Sequence, residues 1–242
     1  MKQILFFLLT IPFYPVHGQE TKKQKEQNKT SIGFNFSPDY SFRTLKNNDG
    51  SATAGFIIKS RNDIEIAKFG YTTGLNVCIN FAGLVELETG IQYSNKGYKT
   101  KKQDLIFAPP PTPGVPTKAK FTYSYQYIGV PLKAKFMMGN GKLRFFSGIG
   151  FMANFLLRAR QTTFLEYADG NTDKKKQSAT ESFKKIDISP MISFGIDYTI
   201  TKKIHLIAEP TFRYGVIKTK DAPIAEYLWS AGLNMALYYR LK

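Results

Sequence analysis

From Thr30 onward, apolar and polar positions alternate with a period of two, the pattern of strands whose two faces meet different surroundings. In the first run Ile32, Phe34 and Phe36 oppose Ser31, Gly33, Asn35 and Ser37. The second sets Tyr71, Leu75, Val77, Ile79 and Phe81 against Gly70, Thr72, Gly74, Asn76, Cys78 and Asn80. The third sets Val85, Leu87, Ile91 and Tyr93 against Glu86, Glu88, Gly90, Gln92 and Ser94. In the fourth, an aromatic face of Phe121, Tyr123, Tyr125 and Tyr127 gives way to Ile128, Val130 and Leu132 in the opposite phase. A bulge near Gly129 and Pro131 would absorb that slip.

Four further runs complete the pattern. Leu143, Phe145, Ile149, Phe151, Phe155 and Leu157 oppose Arg144, Gly148, Gly150, Asn154 and Arg158. Ile186, Ile188, Ile192, Phe194, Ile196 and Tyr198 oppose Asp187, Ser189, Ser193, Gly195 and Asp197. Ile204, Leu206, Ala208, Pro210, Phe212 and Tyr214 oppose His205, Glu209, Thr211 and Arg213. Tyr227, Trp229, Ala231, Leu233, Met235, Leu237 and Tyr239 oppose Ser230, Gly232, Asn234, Ala236 and Tyr238. Short links at 82–83, 138–142 and 201–203 alternate with long ones at 39–68, 99–119, 159–184 and 215–224. The Pro-rich run 108–116 belongs in the second long link, because proline cannot serve a central strand.

These runs predict an all-β chain: an eight-stranded antiparallel up-and-down transmembrane β-barrel with short periplasmic turns and long extracellular loops, both termini periplasmic. A soluble barrel hides its apolar face in a cavity. Here the face rich in Gly, Ser, Asn and charge is the one that fits a narrow interior, while aromatics bracket the apolar face as interfacial girdles do: Tyr71, Phe81, Tyr93, Phe121 to Tyr125, Tyr198, Tyr214, Tyr227 and Tyr239. Eight strands leave room inside for side chains and no open hydrated pore.

The start of the chain supplies a reason for export. Lys2, then an apolar run from Ile4 to Val16 ending at Gly18, reads as a signal peptide over residues 1–18, too short to span a bilayer. Residues 19–29 read as a basic, flexible periplasmic tail and residues 30–242 as the barrel. The formal charge of +16 would by itself suggest an anionic partner. Export excludes nucleic acid and leaves outer-membrane lipid and lipopolysaccharide, since its lysines cluster in the tail and loops. Cys78 is the sole cysteine, so no intrachain disulfide forms, and no metal or cofactor is expected.

Charge on the inner faces defines the candidate chemistry, a lumen polar network of Glu86, Glu88, Arg144, Asp187, Asp197, His205, Glu209 and Arg213, with Lys96 as a further partner. Two carboxylates in a confined space could act as acid and base. Mutual ion pairing is the stronger expectation, because an unpaired buried charge is costly. Asp187, Asp197 and Glu209 could in principle hold a cation, but no calcium loop or zinc pattern accompanies them. A hydrolase would have to use His205, which follows the short turn at 201–203 and so lies at the periplasmic end, pointing toward Glu209 or a neighbouring strand. Outside, Lys174, Lys175 and Lys176 in the third long loop are the candidate contact.

Several segments resemble the PorT-type outer-membrane β-barrel proteins: Leu87 to Gly97 (LETGIQYSNKG), Tyr127 to Lys135 (YIGVPLKAK), Phe146 to Gly150 (FSGIG), Ile186 to Ser189, Phe194 to Asp197, and Phe212 to Gly215. The likeness covers the third to seventh strands. It departs at the end, where this chain closes on Tyr239-Arg240-Leu241-Lys242 and such barrels often finish on an aromatic. The resemblance implies a noncatalytic outer-membrane barrel with an accessory role in protein secretion or envelope assembly, and secretion or envelope proteins as partners. A narrow transport channel and a surface-binding, adhesion-type barrel are the alternatives.

Overall fold

The computed structural model describes residues 29–81, 84–107 and 114–241. The predicted signal peptide, nearly all of the tail and the 82–83 link lie outside the described residues. The elements in order are β1 (Lys29–Asn47), α1 (Ala52–Ile64), β2 (Glu65–Phe81), β3 (Val85–Thr100), β4 (Gln103–Asp104), β5 (Pro116–Met138), β6 (Leu143–Tyr167), β7 (Thr172–Ser178), a 3-10 turn (Thr180–Ser182), β8 (Ile186–Thr199), β9 (Ile204–Tyr214) and β10 (Ile224–Arg240).

Eight of these strands close a ring. β1, β2, β3, β5, β6, β8, β9 and β10 each pair antiparallel with the next, and β10 returns to β1 from Ser31↔Arg240 to Asn47↔Ile224. Closure leaves the ring no open edge, so its backbone donors and acceptors are satisfied between strands. Among the described residues no helix is long and apolar enough to cross a membrane.

The alternation is inside-out. Phe34, Ile91 and Phe194 are 56%, 64% and 65% exposed, whereas Asn35, Thr72, Asn76 and Ser230 are fully buried. A continuous apolar belt around a whole barrel far exceeds the few hundred Å² that a water-soluble monomer shows, so the belt is the lipid face. Tyr71, Phe81, Tyr198 and Tyr239 are exposed at its two margins.

β5 departs from the expectation. Tyr125, Tyr127, Pro131, Lys133, Lys135 and Met137 form one unbroken inward series, and the β3–β5 register runs through Gly129 without a shift. No bulge lies at Gly129 or Pro131. The upper aromatics instead turn inward: Tyr125 is buried in a cluster with Tyr98, Tyr127 and Leu228, and Tyr123 packs against it. They are therefore not part of a lipid girdle. The bulge sits on the partner strand, where Gln126 pairs with Arg158 and Tyr127 with Leu156. The extra residue turns Leu157 and Arg158 outward together and Ala159 inward, so Arg158 is not on the inner face.

Three long links also carry structure that a period-two reading passes over. Between β1 and β2, Ser51 caps α1 by accepting the Ala54 N–H at 3.1 Å, and helix gives way to strand at Glu65. In the third link β6 runs on to Tyr167 and β7 folds back on it, from Arg160↔Ser178 to Glu166↔Thr172. β5 stays paired with β6 as far as Pro116↔Tyr167, and β4 edges β5. A four-stranded ribbon thus rises from the barrel wall at the end bearing the long links, called here the loop end. At about 3.3 Å per residue, the stretch of β6 beyond Arg158 adds roughly 30 Å.

Candidate functional site

Strand alternation directs one residue in two into the lumen, and neighbouring antiparallel strands place inward residues side by side. Glu86 and Glu88 are thereby the direct cross-strand partners of Lys135 and Lys133. These four begin a polar network that fills the barrel in tiers.

The tier at the turn end joins Arg144 to Asp197, its cross-strand partner, through a short charge-assisted contact, and to Glu86 at 3.4 Å. His205 Nδ1 lies 3.2 Å from Asp197 Oδ1 and 3.3 Å from Thr199 Oγ1. His205 therefore faces β8 and not Glu209. Ser31, Cys78, Tyr238 and Arg240 join these groups around a cavity of about 20 Å³, room for one water.

In the middle tier the Lys133 ammonium donates to Glu209 Oε1 and Oε2 at 2.7 and 2.8 Å and lies 3.0 Å from Glu88. Lys135 approaches Glu88 at 2.8 Å and the Cys78 sulfur at 3.3 Å, with the Tyr238 and Phe146 rings 5.2 and 5.4 Å from its ammonium. Tyr238 donates to Glu88 at 2.8 Å. An amide ladder carries the network round the wall: Asn234 donates to Glu209, Asn35 to Asn234, Asn76 to Asn35 and Gln92 to Asn76, at 3.1, 2.9, 3.3 and 2.8 Å.

Above it Arg213 meets Asp39 at 3.3 Å, and Ser37 and Thr72 donate to the same carboxylate. Asp187 accepts from Ser189 at 2.7 Å and Asn154 at 3.2 Å. Lys96 is buried beneath the Tyr127 ring at 5.7 Å.

α1 closes the loop end. Arg61 on the helix donates to Glu65 at 2.7 Å, to Glu226 on β10 at 2.9 Å and to the Tyr98 hydroxyl at 3.0 Å. Tyr98 and Tyr125 also donate to Glu226, and Arg43 bridges Glu65 and Asn62. Burial would lower the affinity of Arg61 for its proton, but the Glu65 and Glu226 carboxylates outweigh it and raise the group above its ordinary range.

The eight predicted network residues thus all face the lumen, but in separate tiers. Glu86 and Glu88 are not a carboxylate pair sharing a proton; they are counterions to Arg144, Lys133 and Lys135. Asp187, Asp197 and Glu209 are not brought together either. Asp187 and Asp197 occupy opposite ends of β8, and among the described residues no cluster of metal-ligating side chains forms. The sequence reading missed Lys133 and Lys135, although their alternation with Val130, Leu132 and Phe136 marks them as inward. It also missed Asp39, Arg43 and Glu226, which lie beyond its strand ends.

Outside the lumen Lys174, Lys175 and Lys176 are exposed on β7, a regular strand where irregular loop was expected. Lys175 faces Asp173 at 3.7 Å. Lys174 and Lys176 occupy the other face, where the Lys174 ammonium lies 5.1 Å from the Phe164 ring.

Comparison with known proteins agrees with this architecture. A family described as outer membrane protein beta-barrel domain matches residues 18–221. No curated protein sequence matches the chain. Among solved structures, neisserial surface protein A shares 10% identity over 88% of this chain and 97% of its own, with a TM-score of 0.45. OprG from Pseudomonas aeruginosa shares 14% over 88% and 96%, TM-score 0.39. The N-terminal β-barrel domain of OprF from the same organism shares 13% over 88% and 100%, TM-score 0.36.

Proposed function

The chain belongs to the outer membrane protein beta-barrel domain family, and from that premise we propose that it is a noncatalytic, PorT-like barrel that serves protein secretion or envelope assembly as a non-conducting anchor. Its loop end faces outward, both termini face the periplasm, and the β4–β7 ribbon makes the partner contact. The observation that supports this is a contrast within one molecule. The lumen is filled by buried polar side chains, most of its charges paired across it, which leaves little room for a hydrated solute. The wall strands β5 and β6, by comparison, continue far beyond the belt as an ordered ribbon, and ordered structure outside the membrane is where a rigid scaffold presents a contact.

The test compares a deletion strain complemented with the full chain or with a chain whose ribbon is shortened by removing residues 163–175. Proteomics of the medium and outer membrane should show secreted or envelope proteins lost with the shortened ribbon although the barrel still assembles. An unchanged protein profile would defeat the reading. Steady single-channel conductance by the full chain in planar bilayers would favour the transport alternative instead.

A further inference from the structure

The β6 bulge has an effect on the outer surface as well as on the lumen. Leu157, 53% exposed in the apolar belt, is followed by an outward Arg158, and Arg160 two residues on shares its face. Cross-strand pairing extends this face across the ribbon. Thr162 lies beside Lys176, and Phe164 lies between Lys120 and Lys174. Between Arg158 and Phe164, the outward positions of β5, β6 and β7 hold only hydroxyl, amide, aromatic and basic side chains.

The carboxylates of the ribbon already have cations: Glu166, on the same face just beyond Phe164, is held by Lys102, Asp104 lies near Lys118 and Asp173 near Lys175. Arg158, Arg160, Lys120, Lys174 and Lys176 have no carboxylate partner among the described residues. Five cations on one face without counterions repel one another, and the arrangement becomes favourable when an anion covers it. Higher up, Lys102, Lys118, Lys120, Phe164 and Glu166 line a hollow of about 260 Å³ with the aromatic ring in its lining.

We propose that this outward face, from Arg158 and Arg160 at the belt margin to Lys120, Lys174 and Lys176 above it, docks the phosphorylated sugar headgroups of the lipids around the barrel. Continuity with the lipid belt selects that source. An acyl chain lying against Leu157 brings its own headgroup to the height of the two guanidinium forks, which grip phosphate oxygens in pairs. The inference rests on the outward orientation of the loop end proposed above and is independent of the role in secretion.

The experiment uses the full barrel in nanodiscs of phosphatidylcholine with added lipopolysaccharide, and bound lipid is counted by native mass spectrometry. The Arg158→Gln/Arg160→Gln variant should retain lipopolysaccharide roughly thirty-fold more weakly, a factor of about five per cation near a membrane surface. Lys142→Gln/Lys203→Gln, at the turn end, should retain it as the parent does. Equal retention of dephosphorylated lipopolysaccharide, or equal retention by the Arg158→Gln/Arg160→Gln variant, would overturn the proposal. Complete displacement by inorganic phosphate would overturn the lipid source. If the arginine variant fails to insert, Lys174→Gln/Lys176→Gln, which leaves the ring untouched, must show weakened retention for the proposal to stand.

Discussion

Lys133 and Glu209 meet across the width of the lumen, from β5 and β9, which share no edge, with the ammonium 2.7 and 2.8 Å from the two carboxylate oxygens. Neither side chain has appreciable access to solvent. Strand pairing alone cannot produce this contact. It is a strut between wall strands that β6 and β8 separate.

Removing the ammonium leaves the buried Glu209 carboxylate with only the Asn234 amide to meet it, whereas Glu88 keeps Lys135. Lys133→Met is expected to lower barrel stability by about 3–5 kcal/mol, while Lys133→Met/Glu209→Leu, which removes both charges, should cost far less. Urea unfolding in lipid vesicles reads the difference, and equal losses would show that the pair is not coupled.

Arg61 ties α1 to β10 and to the Tyr98 hydroxyl on β3. Arg61→Ala should therefore loosen the helix while leaving the ring intact: amide exchange over residues 52–64 rises and trypsin cuts faster after the exposed Lys59. Arg61→Lys should recover only part of the protection, because an ammonium cannot span Glu65 and Glu226 as the fork does. Unaltered cleavage would mean that the helix is held by other contacts.

Gly97 has φ +142°, and a Cβ there would stand 2.0 Å from the Tyr123 carbonyl oxygen. Gly97→Ala should cost about 1–3 kcal/mol and open the β3–β5 pairing near the loop end. Gly50→Ala, at φ +73° in open space, should cost about 1 kcal/mol or less. Thermal unfolding of the two variants side by side tests the ranking.

In the link between β9 and β10, the hydrogen bond from Lys218, with a further contribution from Lys184, holds the Asp221 carboxyl below its ordinary value of 3.8. A lowered carboxyl pKa stabilises the ordered link fully above the ordinary value and ceases to do so as pH falls through the lowered one. Order in residues 215–223 should thus persist to about pH 4 and decline only in stronger acid. A carboxyl NMR titration checks this: Lys218→Ala should move the Asp221 midpoint up, and an unmoved midpoint would refute the pairing.

The ring was legible because lipid outside and packed polar groups inside force a strict alternation, and each of the eight runs carries it. β9 matches its predicted span residue for residue, Ile204–Tyr214. Legibility fails where both faces of a strand meet similar surroundings. Around Tyr123 and Tyr125 the lumen holds an aromatic and carboxylate cluster tied to α1, so large side chains point inward and mimic a phase slip. The bulge at Leu157 and Arg158 is invisible for a related reason: an apolar residue followed by a basic one fits either phase. α1 buries only Ala54, too little to impose a helical stripe. The cross-lumen contacts follow from ring closure, which brings β5 to β9 across the lumen and α1 to β10 and has no signature in local sequence.

β5 and β6 stay paired from Met138↔Phe145 near the turn end to Pro116↔Tyr167 at the ribbon tip, through register shifts at Gln126/Tyr127 and Pro116/Lys118, and that continuity has a mechanical consequence. A pull on the tip loads a long row of hydrogen bonds that runs through the β6 bulge into the wall itself. Whatever grips the ribbon therefore grips the membrane anchor, and force applied outside is delivered to the β5–β6 seam of the barrel.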